Sequence, residues 1–129
     1  MNEHNKMNVT IMGLGYIGLP TAALIASKGI HVHGVDINKE VVDTINQGKI
    51  HIVEPDLEGL VHYAVQKKFL KASLKVQASD VFLVAVPTPF KAKHIPDLSF
   101  VEKATKMIIP KLKAGNLFRD IYKESTKQS

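Results

Sequence analysis

The sequence predicts an α/β fold, a doubly wound parallel sheet flanked by helices, and three observations predict it. Short apolar runs alternate with segments whose apolar residues recur at helical spacing. One of those runs, Val81 to Val86, is unbroken, as expected for a strand covered on both faces of a parallel sheet. A glycine cluster stands where the first strand would hand over to the first helix. Strands alternating with helices imply βαβ units, and right-handed crossovers wind them into a single layer.

Taken in order, Met7–Met12 reads as a buried strand that stops at Gly13. Leu19–Ser27 is rich in alanine and leucine and reads as a helix closed by Lys28-Gly29. Ile30–Val35 is a second strand, ending at Asp36. Asn38 is placed to cap a helix with Val41, Val42 and Ile45 on one face and Gly48 at its end. Asp56, after Pro55, is placed to cap another, in which Leu57, Leu60, Val61, Ala64 and Val65 form an apolar stripe. Leu74-Lys75-Val76 is a short strand candidate, and Val81–Val86 the long one. Phe100, Val101, Ala104, Met107 and Ile108 make a last helical stripe before Gly115. The expected sheet is incomplete, with about four to five strands.

Composition narrows the function. The 129 residues, 45% hydrophobic and 22% charged, suit one core-forming domain rather than a disordered or repetitive chain. No apolar run is long enough to span a membrane, and the polar N-terminus has no signal-peptide core, so a cytoplasmic protein without a membrane partner is expected. The absence of cysteine excludes disulfides, thiolate metal sites and cysteine nucleophiles from these residues. Residues 1–60 carry a net charge of −3 and residues 61–129 a net +8. That basic half raises nucleic acid as a partner. Most of its lysines, however, fall at polar positions of expected helices (Lys67, Lys68, Lys71, Lys103, Lys106, Lys111, Lys113), with one arginine and no interleaved aromatics, so no nucleic acid is expected.

The chemistry-bearing motif is Gly13-Leu14-Gly15-Tyr16-Ile17-Gly18, a G-x-G-x-x-G spacing between a strand and a helix. Gly13 permits the tight turn, Gly15 admits a pyrophosphate to the backbone, and Gly18 lets the helix pack on the strand. Free N–H groups at the helix start hold phosphates. Asp36, at the end of the next strand, can accept hydrogen bonds from both hydroxyls of an adenosine ribose and would repel a 2′-phosphate. NAD is therefore favoured over NADP, with Lys39 close enough in sequence to soften the preference. Val86-Pro87-Thr88-Pro89 leaves the long strand at its carboxyl end, where ligands of open α/β sheets lie. The remaining candidates are weaker. His31 and His33 alternate along one side of a strand, no histidine spacing resembles a metal site, and no serine sits on a nucleophile elbow. Glu54 and Asp56 flank Pro55, where they could serve as an acid/base pair or simply as a helix-capping loop.

Taken together, the run from Gly13 to Ala23, Gly34-Val35-Asp36-Ile37-Asn38, His51-Ile52-Val53-Glu54-Pro55-Asp56-Leu57 and Val86-Pro87-Thr88-Pro89-Phe90 resemble the N-terminal NAD-binding domain of the UDP-glucose/GDP-mannose dehydrogenases over roughly residues 7–117. The resemblance implies a Rossmann-type sheet and NAD as cofactor, held by Gly13, Gly15, Tyr16, Ile17, Gly18, Asp36, Val86, Pro87 and Thr88. It also implies oxidation of the C6 alcohol of a nucleotide sugar in two NAD-dependent steps, the second through a thiohemiacetal on a cysteine. No catalytic residue is assigned within these 129 residues, because that cysteine, the catalytic lysine and the sugar-nucleotide domain belong to a further half of the family's chain. No turnover by this chain alone is expected.

The family's Glu-Ser-Thr element is echoed by Glu124-Ser125-Thr126, but about three residues late, and Arg119, Asp120 and Lys123 stand where relatives have a short apolar strand. The expected division is therefore a partial NAD-binding domain over 1–116 and a divergent tail over 117–129, as in a truncated chain. Without further strands, Val81–Val86 would lie at a sheet edge that recruits another strand. Two outcomes are expected there: cover by residues 117–122, or pairing of two chains as a homodimer.

Overall fold

The computed structural model describes residues 7–89, 95, 97–112 and 117–120. Five strands, β1 (Asn8–Met12), β2 (His31–Val35), β3 (Leu70–Ser73), β4 (Val81–Val84) and β5 (Leu117–Asp120), form one sheet in the order β3-β2-β1-β4-β5, every pair parallel. Four α-helices connect them: α1 (Gly18–Ser27), α2 (Lys39–Asn46), α3 (Leu57–Gln66) and α4 (Ser99–Ile108). The chain steps outward from β1 to β2 to β3, then returns to place β4 on the other side of β1. The carboxyl ends of β1 and β4 flank this reversal.

Alternation along the strands sorts their side chains onto two faces. On one face Val9, Ile11, Val32, Leu70 and Ala72 pack against α1, α2 and α3. The α1 contribution is mostly alanine (Ala22, Ala23, Ala26), small enough to let the helix axis approach the sheet. On the other face Met12, Val35, Phe82 and Val84 pack against Ala104 and Ile108 of α4 and against Val76 from the β3–β4 connection. One face thus carries three helices, and the other carries one helix and a loop.

Several expected boundaries move. The third strand is Leu70–Ser73, not Leu74–Val76. Leu74 is exposed and Val76 is a loop residue plugging the second core. Lys71, grouped above with the helical lysines, therefore lies on a strand. Asp56 occupies the N-cap position of α3 with a left-handed backbone (φ 64°), and its side chain makes no capping hydrogen bond. Asn38 does cap α2, its Oδ1 accepting from the Glu40 N–H at 2.9 Å. Strand β4 ends at Val84, and Ala85–Pro89 leave the sheet as an irregular segment.

Strand β4 is interior, because Leu117–Asp120 pair with it in parallel. The expected cover by residues near 117–122 is thus found. The boundary placed at 116 falls close to the start of a strand of the same sheet, and the outer edge passes to β5. At the opposite edge the Asn46 side chain answers the backbone of β3. Its Nδ2 donates to the Ala72 carbonyl and its Oδ1 accepts from the Ala72 N–H, both at 2.8 Å. One amide thereby occupies the outward donor and acceptor of a mid-strand residue.

Candidate functional site

The glycine run makes the turn from β1 into α1 at the sheet's reversal point. Gly13 has φ +96°, and a Cβ there would lie 2.6 Å from the Ala85 carbonyl oxygen, so only glycine lets the loop press against the exit of β4. A Cβ on Gly18 would fall 1.7 Å from the Gly13 carbonyl oxygen, so the first turn of α1 sits directly on the loop backbone. Gly15 differs: nothing lies within 4 Å of where its Cβ would be. Packing does not require that glycine, and the space beside it is open. No side chain caps α1, and its first turn contains no acidic residue. The N–H groups of the helix start and its positive dipole end therefore have no internal anion.

Leu14, fully buried between the first two glycines, packs onto Gly34 of β2, where a Cβ would lie 2.8 Å from a Leu14 methyl. This contact fixes the loop against β2 and explains a glycine inside a strand. Asp36, just beyond β2, is fixed from two sides. Its Oδ2 accepts from the Leu14 N–H at 2.9 Å and its Oδ1 from the Asn38 N–H at 3.0 Å. A carboxylate offers about four acceptor positions, so each oxygen keeps a free lone pair. Lys39 is turned away into an i,i+4 ion pair with Asp43 at 2.8 Å, and that exposed pair raises its pKa. An exposed pair of this kind is worth little in stability.

These groups share one cleft of about 460 Å³, within the range of small-molecule sites. Its floor is Met12, Val35 and Ala85; its near wall is Gly13, Leu14, Gly15, Tyr16, Ile17, Asp36, Ile37 and Asn38. Val86, Pro87 and Thr88 form the rim beyond β4. Eight of the nine expected site residues line it together; Gly18 lies beneath, as a packing residue. The far wall is α4, contributing Phe100, Lys103, Ala104 and Met107, which the sequence pattern assigns to a core stripe and a solvated face. Tyr16 and Ile37 flank the opening, 62% and 74% exposed.

The other candidates lie apart from this cleft. Glu54 and Asp56 are exposed on the α2–α3 connection and line no part of it. Among the described residues no group of three His, Asp or Glu could hold a metal. No helix among the described residues is long and apolar enough to cross a membrane. Glu124-Ser125-Thr126 lie outside the described residues.

Comparison with known proteins gives a consistent result. The UDP-glucose/GDP-mannose dehydrogenase family, NAD binding domain, matches residues 7–128. Among curated relatives, the chain is 56% identical over 118 residues to a UDP-N-acetyl-D-mannosamine dehydrogenase of Campylobacter jejuni, covering 91% of this chain and 28% of that protein. It is 55% identical over 109 residues to an NDP-N-acetyl-D-galactosaminuronic acid dehydrogenase of Ralstonia nicotianae, covering 84% of this chain and 26% of that protein. Among solved structures, the UDP-N-acetyl-mannosamine dehydrogenase of Staphylococcus aureus superposes with a TM-score of 0.87 at 41% identity, over 89% of this chain and 28% of that one. The chain thus spans little more than a quarter of the length of the relatives it matches.

Proposed function

Because this chain belongs to the UDP-glucose/GDP-mannose dehydrogenase family and carries its NAD-binding domain, we propose that it forms the cofactor-holding portion of a nucleotide-sugar 6-dehydrogenase. The proposed sugar nucleotide is UDP-N-acetyl-D-mannosamine, in line with the relatives from Campylobacter and Staphylococcus. The observation that carries the reading is the Asp36–Leu14 hydrogen bond at 2.9 Å. It ties the ribose-reading carboxylate to the phosphate-reading loop, so that two parts of one dinucleotide meet a single rigid unit.

NAD supplies the hydride acceptor when bound; this chain's residues bind and orient it. Backbone N–H groups of Gly15, Tyr16 and Ile17 at the uncapped start of α1 receive the pyrophosphate, and Gly13 and Gly18 hold the loop in place. The free lone pairs of Asp36 accept from the two ribose hydroxyls, while its negative charge opposes a 2′-phosphate. Lys39 pairs with Asp43 on the exposed face of α2, and its nearness in sequence to Asp36 softens that preference for NAD. Val86, Pro87 and Thr88 border the cofactor on the β4 side, the prolines holding the segment extended and Thr88 offering a hydroxyl.

None of the 129 residues is a cysteine, so a step through a thiol has no residue here. The chain binds NAD without by itself completing the oxidation. The cytoplasm is its proposed location, and a free sheet edge its proposed contact in a homodimer. A different acetamido sugar nucleotide is the second reading, favoured by the similarity to the Ralstonia enzyme.

The test is a fluorescence titration with NADH, with NADPH in parallel. Saturable binding with NADH preferred is expected, and Asp36→Asn should weaken NADH about tenfold to a hundredfold while leaving NADPH less affected. A folded chain that binds neither nucleotide would sink the reading. Equal affinity for both would remove the role given to Asp36.

A further inference from the structure

The dinucleotide cleft occupies the carboxyl ends of the strands. The amino ends carry a second, smaller pocket of about 270 Å³, on which Asn8, His31, His33, Lys68, Lys71 and Ser79 converge. The sheet register assembles it. Thr10, His33 and Lys71 stand side by side across β1, β2 and β3, and Asn8 stands beside His31. All lie on the sheet face that α4 and the β3–β4 connection cover only in part. The walls are ordered. His33 Nε2 and Ser73 Oγ form a hydrogen bond at 2.7 Å, and the hydroxyls of Thr10 and Ser79 pair within the core. The His31 ring lies 5.1 Å from that of Phe69. Lys68 takes a left-handed backbone (φ 68°) as the chain turns from α3 into β3.

The charges here are one-sided. Two lysines and two histidines line the pocket, and no carboxylate does. The ion pair Lys39–Asp43 lies on α2, and neither residue lines this pocket. Asp80, the carboxylate following Ser79 in the chain, accepts from the backbone N–H of Asn8 at 2.9 Å and does not line the pocket. Burial first, and then the nearby Lys71 charge, push the His33 pKa below its usual value, against a raising hydrogen bond to the Lys75 backbone. Lys68 and Lys71 are exposed cations beside the pocket with no carboxylate among its lining residues, an arrangement that favours an anion over a cation as ligand.

We propose that this pocket binds a phosphate-bearing anion, with Lys68 and Lys71 supplying the charge and Asn8 and His31 further donors. Phosphate fits better than carboxylate. The donors come from three strands and a loop, and a tetrahedral anion presents acceptors in all those directions, whereas a carboxylate presents them in one plane. The site is independent of the dinucleotide cleft, so its existence does not depend on the NAD reading.

The experiment is a titration of the whole chain with sodium phosphate at constant ionic strength, followed by amide ¹H–¹⁵N shifts. Phenyl phosphate in a second arm asks whether the ligand is a free phosphate or a phosphate ester with a ring, for which the His31–Phe69 wall would serve. Saturable shifts centred on His31, His33, Lys71 and Ser79 are expected. In Lys68→Ala/Lys71→Ala the affinity should fall at least about tenfold, with unfolding temperature and NADH affinity unchanged. Lys71→Gln alone, which removes the charge but keeps a long polar side chain at that position, should show part of the same loss. Shifts that never saturate, shifts confined to Gly13–Gly18, or unaltered affinity in both variants would overturn the proposal.

Discussion

The two walls of the dinucleotide cleft are built by different means. The near wall, from β1 through the glycine loop to α1 and Asp36, is held by backbone contacts: Gly18 on the Gly13 carbonyl, Gly13 on Ala85, and the Leu14 amide on Asp36. The far wall is α4, held against β4 by side chains such as Phe82, Ala104 and Ile108. At Gly13 and Gly18 the backbone contact leaves no room for an added atom. Side-chain packing tolerates substitution of similar volume. The near wall is therefore the one suited to the proposed contacts with pyrophosphate and ribose, while the far wall can accept side chains of similar volume.

The contrast breaks most visibly at Gly18. Gly18→Ala places a methyl group inside the Gly13 carbonyl, and the loss should exceed the ~1–3 kcal/mol usual for overpacking. Loss of the cooperative thermal transition by circular dichroism is the expected reading; a transition close to that of the parent chain would mean the loop can move aside. On the far wall a comparable loss requires removing a whole ring. Phe82→Ala should cost about 3–5 kcal/mol in urea unfolding, while Phe82→Leu should retain most of the stability.

Gly15→Ala separates folding from binding. Open space surrounds that position, so stability should stay within ~0.5 kcal/mol. NADH binding should nevertheless fall, because the methyl group stands where the phosphates would approach. A variant that binds NADH normally would shift the phosphate site away from the loop.

The smallest effect is at His33, on the half of the sheet distant from both walls. Its pKa is lowered in the folded chain, so the folded state favours the neutral ring. The corresponding stability is fully present above the unfolded value near 6.5 and is lost as pH falls through the lower folded value. Denaturation midpoints measured from pH 7.5 downward should decline less in His33→Gln than in the parent. Parallel declines would remove this group from the pH dependence.

Much of the near wall was legible in the sequence because its constraints select residue types. Gly13 and Gly18 are glycines for want of room, and Asp36 is a carboxylate at a strand end. The far wall was not. Phe100 and Met107 share an apolar helical stripe with Ala104 and Ile108, and periodicity does not distinguish a side chain pressed on a sheet from one facing a ligand. Lys103 looked like any solvated lysine. β3 lies four residues before the expected Leu74–Val76 because it is short, with only Leu70 and Ala72 buried. Leu74-Lys75-Val76 alternates just as well, yet Val76 is buried from a loop. The αL backbone of Asp56 had no sequence signal, since aspartate before a helix ordinarily caps it.

The Asn46 amide on Ala72 has a consequence for assembly. Sheets join edge to edge through unanswered backbone groups, and here one end has its mid-strand pair already answered, while β5 has no strand beyond it among the described residues. A strand added beside β3 would have to displace the Asn46 side chain from Ala72 before it could pair there, so that edge carries a built-in competitor for its own backbone.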